Sequence, residues 1–487
     1  MGDELVIGGG GSFAVGTDGM FACADQLREL ARVVSAVNRE LGSIDIGLSP
    51  AQLASADAPP NAFTAEAEIA RVMFILAQLE VQARAMDFAI GAAAEGYGFA
   101  EHFVGSLIHD ATGQFGALLA RFSPLLLLAT FAGGAVLGAA GGLLIGAAGR
   151  GEVSKTMPSV RKTGFTTAPG WARENNEIVT NPATVDLVRI ASQASGDVVA
   201  GAVGVPLPII GLLGGAGVSI GSAAMMRTGS LFGVLKETPV RFVESHTQSV
   251  TASPSGFAER LGRVPDTGVT DGAQVVIEKY SSPGEQDRFE VYVAGTVTFS
   301  PVAETEPWDM TSNLANAAGT TGGGYASVAA AMERAGIDES SPVQFTGYSQ
   351  GGATAARLAA SGDYNTQGLA TFGGPTGQVV IPEGFPTVIV EHSDDIVPAM
   401  GGEQVNNHAV LVERNVFAGL EIPTDYAVPA HHFEYYAQTA RLMDEAQSDR
   451  ITDAQGSLDA FGSGASTVTS TAYRFERVPE FERAPEK

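Results

Sequence analysis

The chain has 487 residues, more than one compact domain holds and enough for two or three. It is 45% hydrophobic, so it can bury a sizeable core, and its 28 Lys and Arg against 54 Asp and Glu give a formal charge of -26. That charge repels phosphate backbones and argues against a nucleic-acid partner. A single cysteine, Cys23, excludes an intramolecular disulfide and a Cys-based zinc cluster.

Residues 1–16 carry acids rather than a basic region before an apolar run, so no secretory signal peptide is expected. Asp18 can cap a helix with a Leu27, Leu30, Ala31, Val34 face, running to about Leu41. A Gly/Pro/Ser-rich connection ends at Pro59-Pro60. A second helix is expected over 64–103, where Ile69, Val72, Met73, Leu76 and Leu79 recur at helical spacing. Together they predict an all-α helical hairpin over residues 1–115. An isolated hairpin buries little surface, so a partner is expected.

Two charge-free stretches follow, between Arg121 and Arg150 and between Asp197 and Arg227. Each is long enough to cross a bilayer. Gly134, Gly138, Gly142 and Gly146 fall on one helix face, the small-residue ladder that lets helices approach closely in lipid. The competing reading is a pair of Gly/Ala-rich helices buried against each other. This makes 116–245 a Gly-rich hydrophobic helical region, inserted in a membrane on the first reading.

From about residue 250 the pattern changes. Strands are expected at 274–280, 288–294, 343–348, 369–372 and 387–391, and helices at 325–335 and 351–360. The alternation predicts a mostly parallel sheet with helices on both faces, spanning 246–458, followed by a Ser/Thr/Gly-rich tail at 459–487.

Within that region Gly347-Tyr348-Ser349-Gln350-Gly351 matches the nucleophile-elbow pattern G-x-S-x-G, with a strand pattern before it and a helix pattern after it. A second match, Gly217-Val218-Ser219-Ile220-Gly221, sits inside an apolar run with no strand signal before it and is set aside. A serine hydroxyl needs a base, and this architecture supplies acid and then His downstream. Glu391, Asp394 and Asp395 are the candidate acids at a strand end. His392, His408, His431 and His432 are the candidate bases, with His408 in an apparent strand and so structural.

These segments resemble the class 3 lipases, a family of α/β hydrolases. Gly295-Thr296 is similar to the family's Arg-Gly-Ser/Thr, Trp308 with Asn313-Leu314 to its Trp-x-x-Asn-Leu, and Thr371-Phe372-Gly373-Gly374-Pro375 to its Thr-Phe-Gly-x-Pro. Asp395-Ile396-Val397-Pro398 is similar to its Asp-x-Val-Pro, and His432-Phe433-Glu434-Tyr435 to its His-x-x-Tyr. The resemblance covers roughly residues 270–440. It implies a Ser349, Asp395, His432 triad, an oxyanion hole from Thr296 and the Gln350 N–H, and hydrolysis of acyl esters or lipids with no cofactor or metal. The segment after Thr296 stands where the family has its lid. It carries Glu304, Glu306 and Asp309 and no long apolar face, so an esterase or phospholipase is implied as readily as a lipase.

The first hundred residues resemble the helical hairpins of type VII secretion substrates, with Tyr97-Gly98-Phe99-Ala100-Glu101 similar to their Tyr-x-x-x-Asp/Glu signal. That resemblance implies an exported, secreted or membrane-associated protein with a helical partner chain on the apolar face of the hairpin; the alternative is a purely structural hairpin in a cytoplasmic protein. The alternative function is a membrane-inserting or anchoring protein whose C-terminal region is a binding module.

Overall fold

A computed structural model of the chain describes residues 5–8, parts of 28–77 and of 173–192, 217–231, and 234–478 apart from 267–271 and 301. It divides into two units, Ser12–Thr112 on one side and Met1–Gly11 with Gly113–Lys487 on the other.

In the smaller unit residues 31–42 are helical, as are 68–69, 71–73 and 76–77. Ala31 and Val34 of the expected apolar face are buried. The remainder of the expected hairpin, including Cys23 and the Tyr97 motif, lies outside the described residues. So do Gly134, Gly138, Gly142 and Gly146. Among the described residues no helix is long and apolar enough to cross a membrane.

The larger unit is an α/β structure built on one nine-stranded sheet. In chain order the strands are β1 (Val6–Gly8), β2 (Val240–Val250), β3 (Val275–Ser281), β4 (Arg288–Val293), β5 (Pro342–Tyr348), β6 (Asn365–Phe372), β7 (Thr387–His392), β8 (Val410–Arg414) and β9 (Thr467–Arg477). Their order across the sheet is β1-β8-β7-β6-β5-β4-β3-β9-β2. The run β4 to β8 is parallel, and β1, β3, β9 and β2 complete the sheet antiparallel.

Parallel strands covered on both faces have no solvent side, so they read as nearly unbroken apolar runs. Every residue of β7 is buried. After a short helix at Asn176–Val179, the helices are α1 (Gly217–Leu231), α2 (Gly256–Leu261), α3 (Met310–Ala317), α4 (Gly323–Ala335), α5 (Gln350–Ala360), α6 (Ile396–Ala399), α7 (Phe433–Glu445) and α8 (Asp449–Gly462). Val328, Ala331 and Met332 of α4 with Ala355, Ala356 and Leu358 of α5 pack on Val291, Val293 and Phe345 at one face. Phe257 and Leu261 of α2, Tyr436 and Ala440 of α7, and Ile451 and Leu458 of α8 cover Tyr292, Phe372 and Val390 at the other.

Three expected boundaries are corrected. The segment 459–487, read as a tail, contains β9, which hydrogen-bonds to β3 on one side and β2 on the other. Its Thr467, Thr469 and Thr471 alternate with buried Val468 and Ser470, and Tyr473, Phe475 and Arg477 are buried at every second position further on, the period of a strand rather than of a linker. The segment 1–115 is not wholly helical, because Val6–Gly8 pairs with Val412 and its neighbours at the edge of the sheet. The region expected over 246–458 also has packing partners well before residue 246. Val179, Val185 and Val188 pack on Ile396 and Ala399, Arg189 Nη1 reaches Glu391 Oε2 at 3.1 Å, and α1 packs against α3.

Candidate functional site

Ser349 sits between β5 and α5 with φ 56° and ψ -124°, a backbone state that costs a non-glycine residue about 1–3 kcal/mol and is held by its surroundings. Its N–H donates to the Phe372 carbonyl of β6 at 2.8 Å. The glycines of the motif are required by space. A Cβ on Gly347 would stand 2.2 Å from the Gly351 carbonyl oxygen, and one on Gly351 would stand 2.1 Å from that of Val293. The other copy of the motif has no such turn, since Ser219 lies within α1.

The base is His431. Its Nε2 lies 2.8 Å from Ser349 Oγ, and its Nδ1 lies 2.6 Å from Asp395 Oδ2. The expected His432 is one residue off. His432 ends the turn Pro429–His431, serves as N-cap of α7, and tilts its ring against Tyr426 with centroids 4.2 Å apart. Among the described residues its Nδ1 has no hydrogen-bond partner. The cause is local. Pro429 opens a single 3-10 turn that carries His431, which meets Ser349, and His432 follows it as the N-cap of α7.

Asp395 is fully buried. Its Oδ1 caps the short helix α6 by accepting from the Val397 N–H at 2.9 Å. Its Oδ2 takes the imidazole and also the Tyr436 hydroxyl at 2.8 Å. The sequence reading missed Tyr436. The doublet Tyr435-Tyr436 carries the signal, read one position too early in step with the His doublet.

The other candidates are placed elsewhere. Asp394 accepts from the N–H groups of Val416 and Phe417 at 3.1 and 2.8 Å, anchoring the loop beyond β8. Burial pushes its carboxyl up to about 6. His392 is buried between the Ala430 carbonyl at 2.7 Å and Thr439 Oγ1 at 2.8 Å, with its ring on Tyr436 at 3.8 Å. Desolvation lowers it to about 4, so it is a neutral packing residue. Glu391 points to Arg189 and Gln404. His408 lies just ahead of β8, not in it.

Thr296 follows Gly295, which packs directly on Ser349. A Cβ on Gly295 would stand 3.3 Å from the Ser349 Cβ. Thr296 Oγ1 accepts from Asn313 Nδ2 at 3.0 Å, which leaves the hydroxyl hydrogen to be donated elsewhere. Trp308 fixes the same turn by donating Nε1–H to the Ala294 carbonyl at 3.0 Å. Gln350 is the first residue of α5, where backbone N–H groups have no intrahelical acceptor. The Thr296 hydroxyl and the Gln350 N–H are thus the two candidate donors, one following Gly295, which packs at Ser349, and one on the residue after Ser349. Removal of one such donor typically costs about 100- to 1000-fold in kcat, the loss expected for Thr296→Val in steady-state ester hydrolysis. Asn313→Ala should show a smaller drop of the same kind, because it only orients the hydroxyl.

The segment after Thr296 differs from its sequence reading. It is a tight loop in which the N–H groups of Val297 and Thr298 both donate to the Trp308 carbonyl. Glu306 turns inward to Gln274 and the Trp308 N–H. Asp309 caps α3 and pairs with Arg477 at 2.9 Å. Two of its three acids are thus withdrawn from the surface, while Val297, Phe299 and Val302 are exposed.

Among the described residues no group of His, Cys, Asp and Glu is arranged to hold a metal ion. No family model matches the chain, and neither a curated protein nor a solved structure does.

Proposed function

We propose that the chain is a serine hydrolase of the α/β-hydrolase type that cleaves carboxylic acyl esters. The observation that carries this reading is the continuous hydrogen-bonded line from Ser349 Oγ through His431 to Asp395 Oδ2, at 2.8 and 2.6 Å, rising from a positive-φ turn.

In the proposed reaction Ser349 Oγ attacks the ester carbonyl as its proton passes to His431 Nε2. Asp395 accepts from Nδ1–H, holding the imidazole in the tautomer that exposes a free Nε2 and stabilising the imidazolium that forms. Charge on the carbonyl oxygen is met by the Thr296 hydroxyl and the Gln350 N–H. The intermediate collapses, the alcohol leaves with the proton from His431, and an acyl-Ser349 ester remains. Water activated by the same His431 then releases the acid.

Exposed apolar residues close to Thr296 in sequence and to Tyr348 in packing support an acyl chain as the recognised part. Val297, Phe299 and Val302 flank the oxyanion turn, and Phe433 stands edge-on to Tyr348 at 5.2 Å. The test is hydrolysis of p-nitrophenyl esters from acetate to palmitate by the full chain, beside Ser349→Ala. Activity confined to the wild type is expected, with preference for chains longer than acetate. A folded wild type inert to the whole series would instead favour a binding module.

A further inference from the structure

We infer that Tyr348 is a positioning residue for the base, acting on the main chain that carries His431 as well as on its ring. The inference rests on the serine-hydrolase reading above.

His431 arrives on a long connection. Residues 415–428 between β8 and the Pro429–His431 turn form neither helix nor strand, and such loops do not by themselves hold a side chain to a fraction of an ångström. The α7 ladder does not reach His431 either. It opens with the Tyr435 N–H donating to the His432 carbonyl at 3.0 Å, one residue further on. The His431 carbonyl instead accepts the Tyr348 hydroxyl. The Tyr348 ring also stacks on the His431 ring, with centroids 5.3 Å apart and planes 18° apart. One side chain thus restrains both the backbone position and the ring plane of the base.

Tyr348 is itself well fixed. It is the last residue of β5. Phe433 and Tyr436 meet its ring edge-on at 5.2 and 5.8 Å. On another side Gly295 leaves room, since a Cβ there would stand 3.0 Å from Tyr348 Cδ1. Because Tyr348 immediately precedes Ser349, the nucleophile and the anchor of its base are joined by one peptide bond. The 2.8 Å separation of Nε2 and Oγ is therefore set locally instead of through the loop. A misplacement of about 1 Å in such an arrangement can cost on the order of 100-fold in rate.

The test uses the full chain, with Tyr348→Phe, which keeps the ring and removes the hydroxyl, and Tyr348→Leu, which removes both contacts. Tyr348→Phe should lower kcat for p-nitrophenyl butyrate by roughly 10-fold at nearly unchanged KM, and Tyr348→Leu by more. The downfield proton resonance of the His431 Nδ1–H···Asp395 bond should broaden in Tyr348→Phe. Unchanged kcat and an unchanged resonance, even with a lowered melting temperature, would reduce Tyr348 to a packing residue and overturn the inference. Fluorotyrosine introduced at 348 keeps the shape and changes only the acidity of the hydroxyl, so it serves if Tyr348→Phe does not fold. Resonance and kcat should then move together, and if both stay at wild-type values the inference is again overturned. A wild type that shows the resonance but hydrolyses no ester would defeat the hydrolase reading and leave the tether intact.

Discussion

His431→Ala should reduce kcat for ester hydrolysis by on the order of 10⁴- to 10⁶-fold, the range expected when the base of a serine triad is removed, while His432→Ala should stay within a few-fold of wild type. The two residues are adjacent and chemically identical, so the comparison isolates position. His431 touches both Ser349 Oγ and Asp395 Oδ2, whereas His432 touches Tyr426. Thermal melting of both variants separates chemistry from folding, because neither removes a large core side chain. Steady-state kinetics on a single ester decides the matter, and a reversed order of severity would contradict the assignment.

Gly351→Ala should be among the most destabilising single-atom additions in the chain, costing more than about 3 kcal/mol. Its Cβ would stand 2.1 Å from the Val293 carbonyl oxygen and 2.4 Å from that of Ala294. Both obstacles are main chain, which no rotamer change relieves. The strand that would have to move is β4, and Thr296 lies just beyond its end, so any molecule that still folds should lose the oxyanion donors from register with Ser349. Gly456→Ala is the contrasting substitution. It lies within α8 with nothing near its Cβ, and should stabilise by about 0.5–1 kcal/mol through helix propensity alone. Denaturant melts of the pair would show opposite signs. A Gly351→Ala protein as stable as wild type would mean that β4 and α5 are not packed as described.

The strands and helices around the nucleophile were legible because buried parallel strands write long apolar runs and the elbow demands glycine at two fixed positions. Ser349 and Asp395 could be picked from such signals together with family resemblance. The base could not be fixed in the same way. Two adjacent histidines and two adjacent tyrosines, His431-His432 and Tyr435-Tyr436, satisfy one spacing in two registers, and the choice depends on the 3-10 turn that begins at Pro429.

β9 was hidden for a different reason. Its first half, Thr467 to Thr471, is four Ser and Thr residues around a single Val468, a composition that belongs to linkers as often as to strands, and its partners β3 and β2 are far from it in sequence. Likewise, the inward turn of Glu306 and Asp309 depends on Gln274 and Arg477, which lie at a distance along the chain. Polarity read locally therefore overstated how polar the surface beside Thr296 is. The packing of Val179, Val185 and Val188 on Ile396 joins a stretch that reads as a polar connection to the helix that follows Asp395.

The most direct test of the central claim is reaction of the full chain with a fluorophosphonate probe, read by intact mass and peptide mapping. Attack of Ser349 Oγ on phosphorus with loss of fluoride should leave one adduct, on Ser349, formed rapidly in wild type and His432→Ala and very slowly in His431→Ala. A folded chain with no adduct, or one labelled equally fast without His431, would contradict the account.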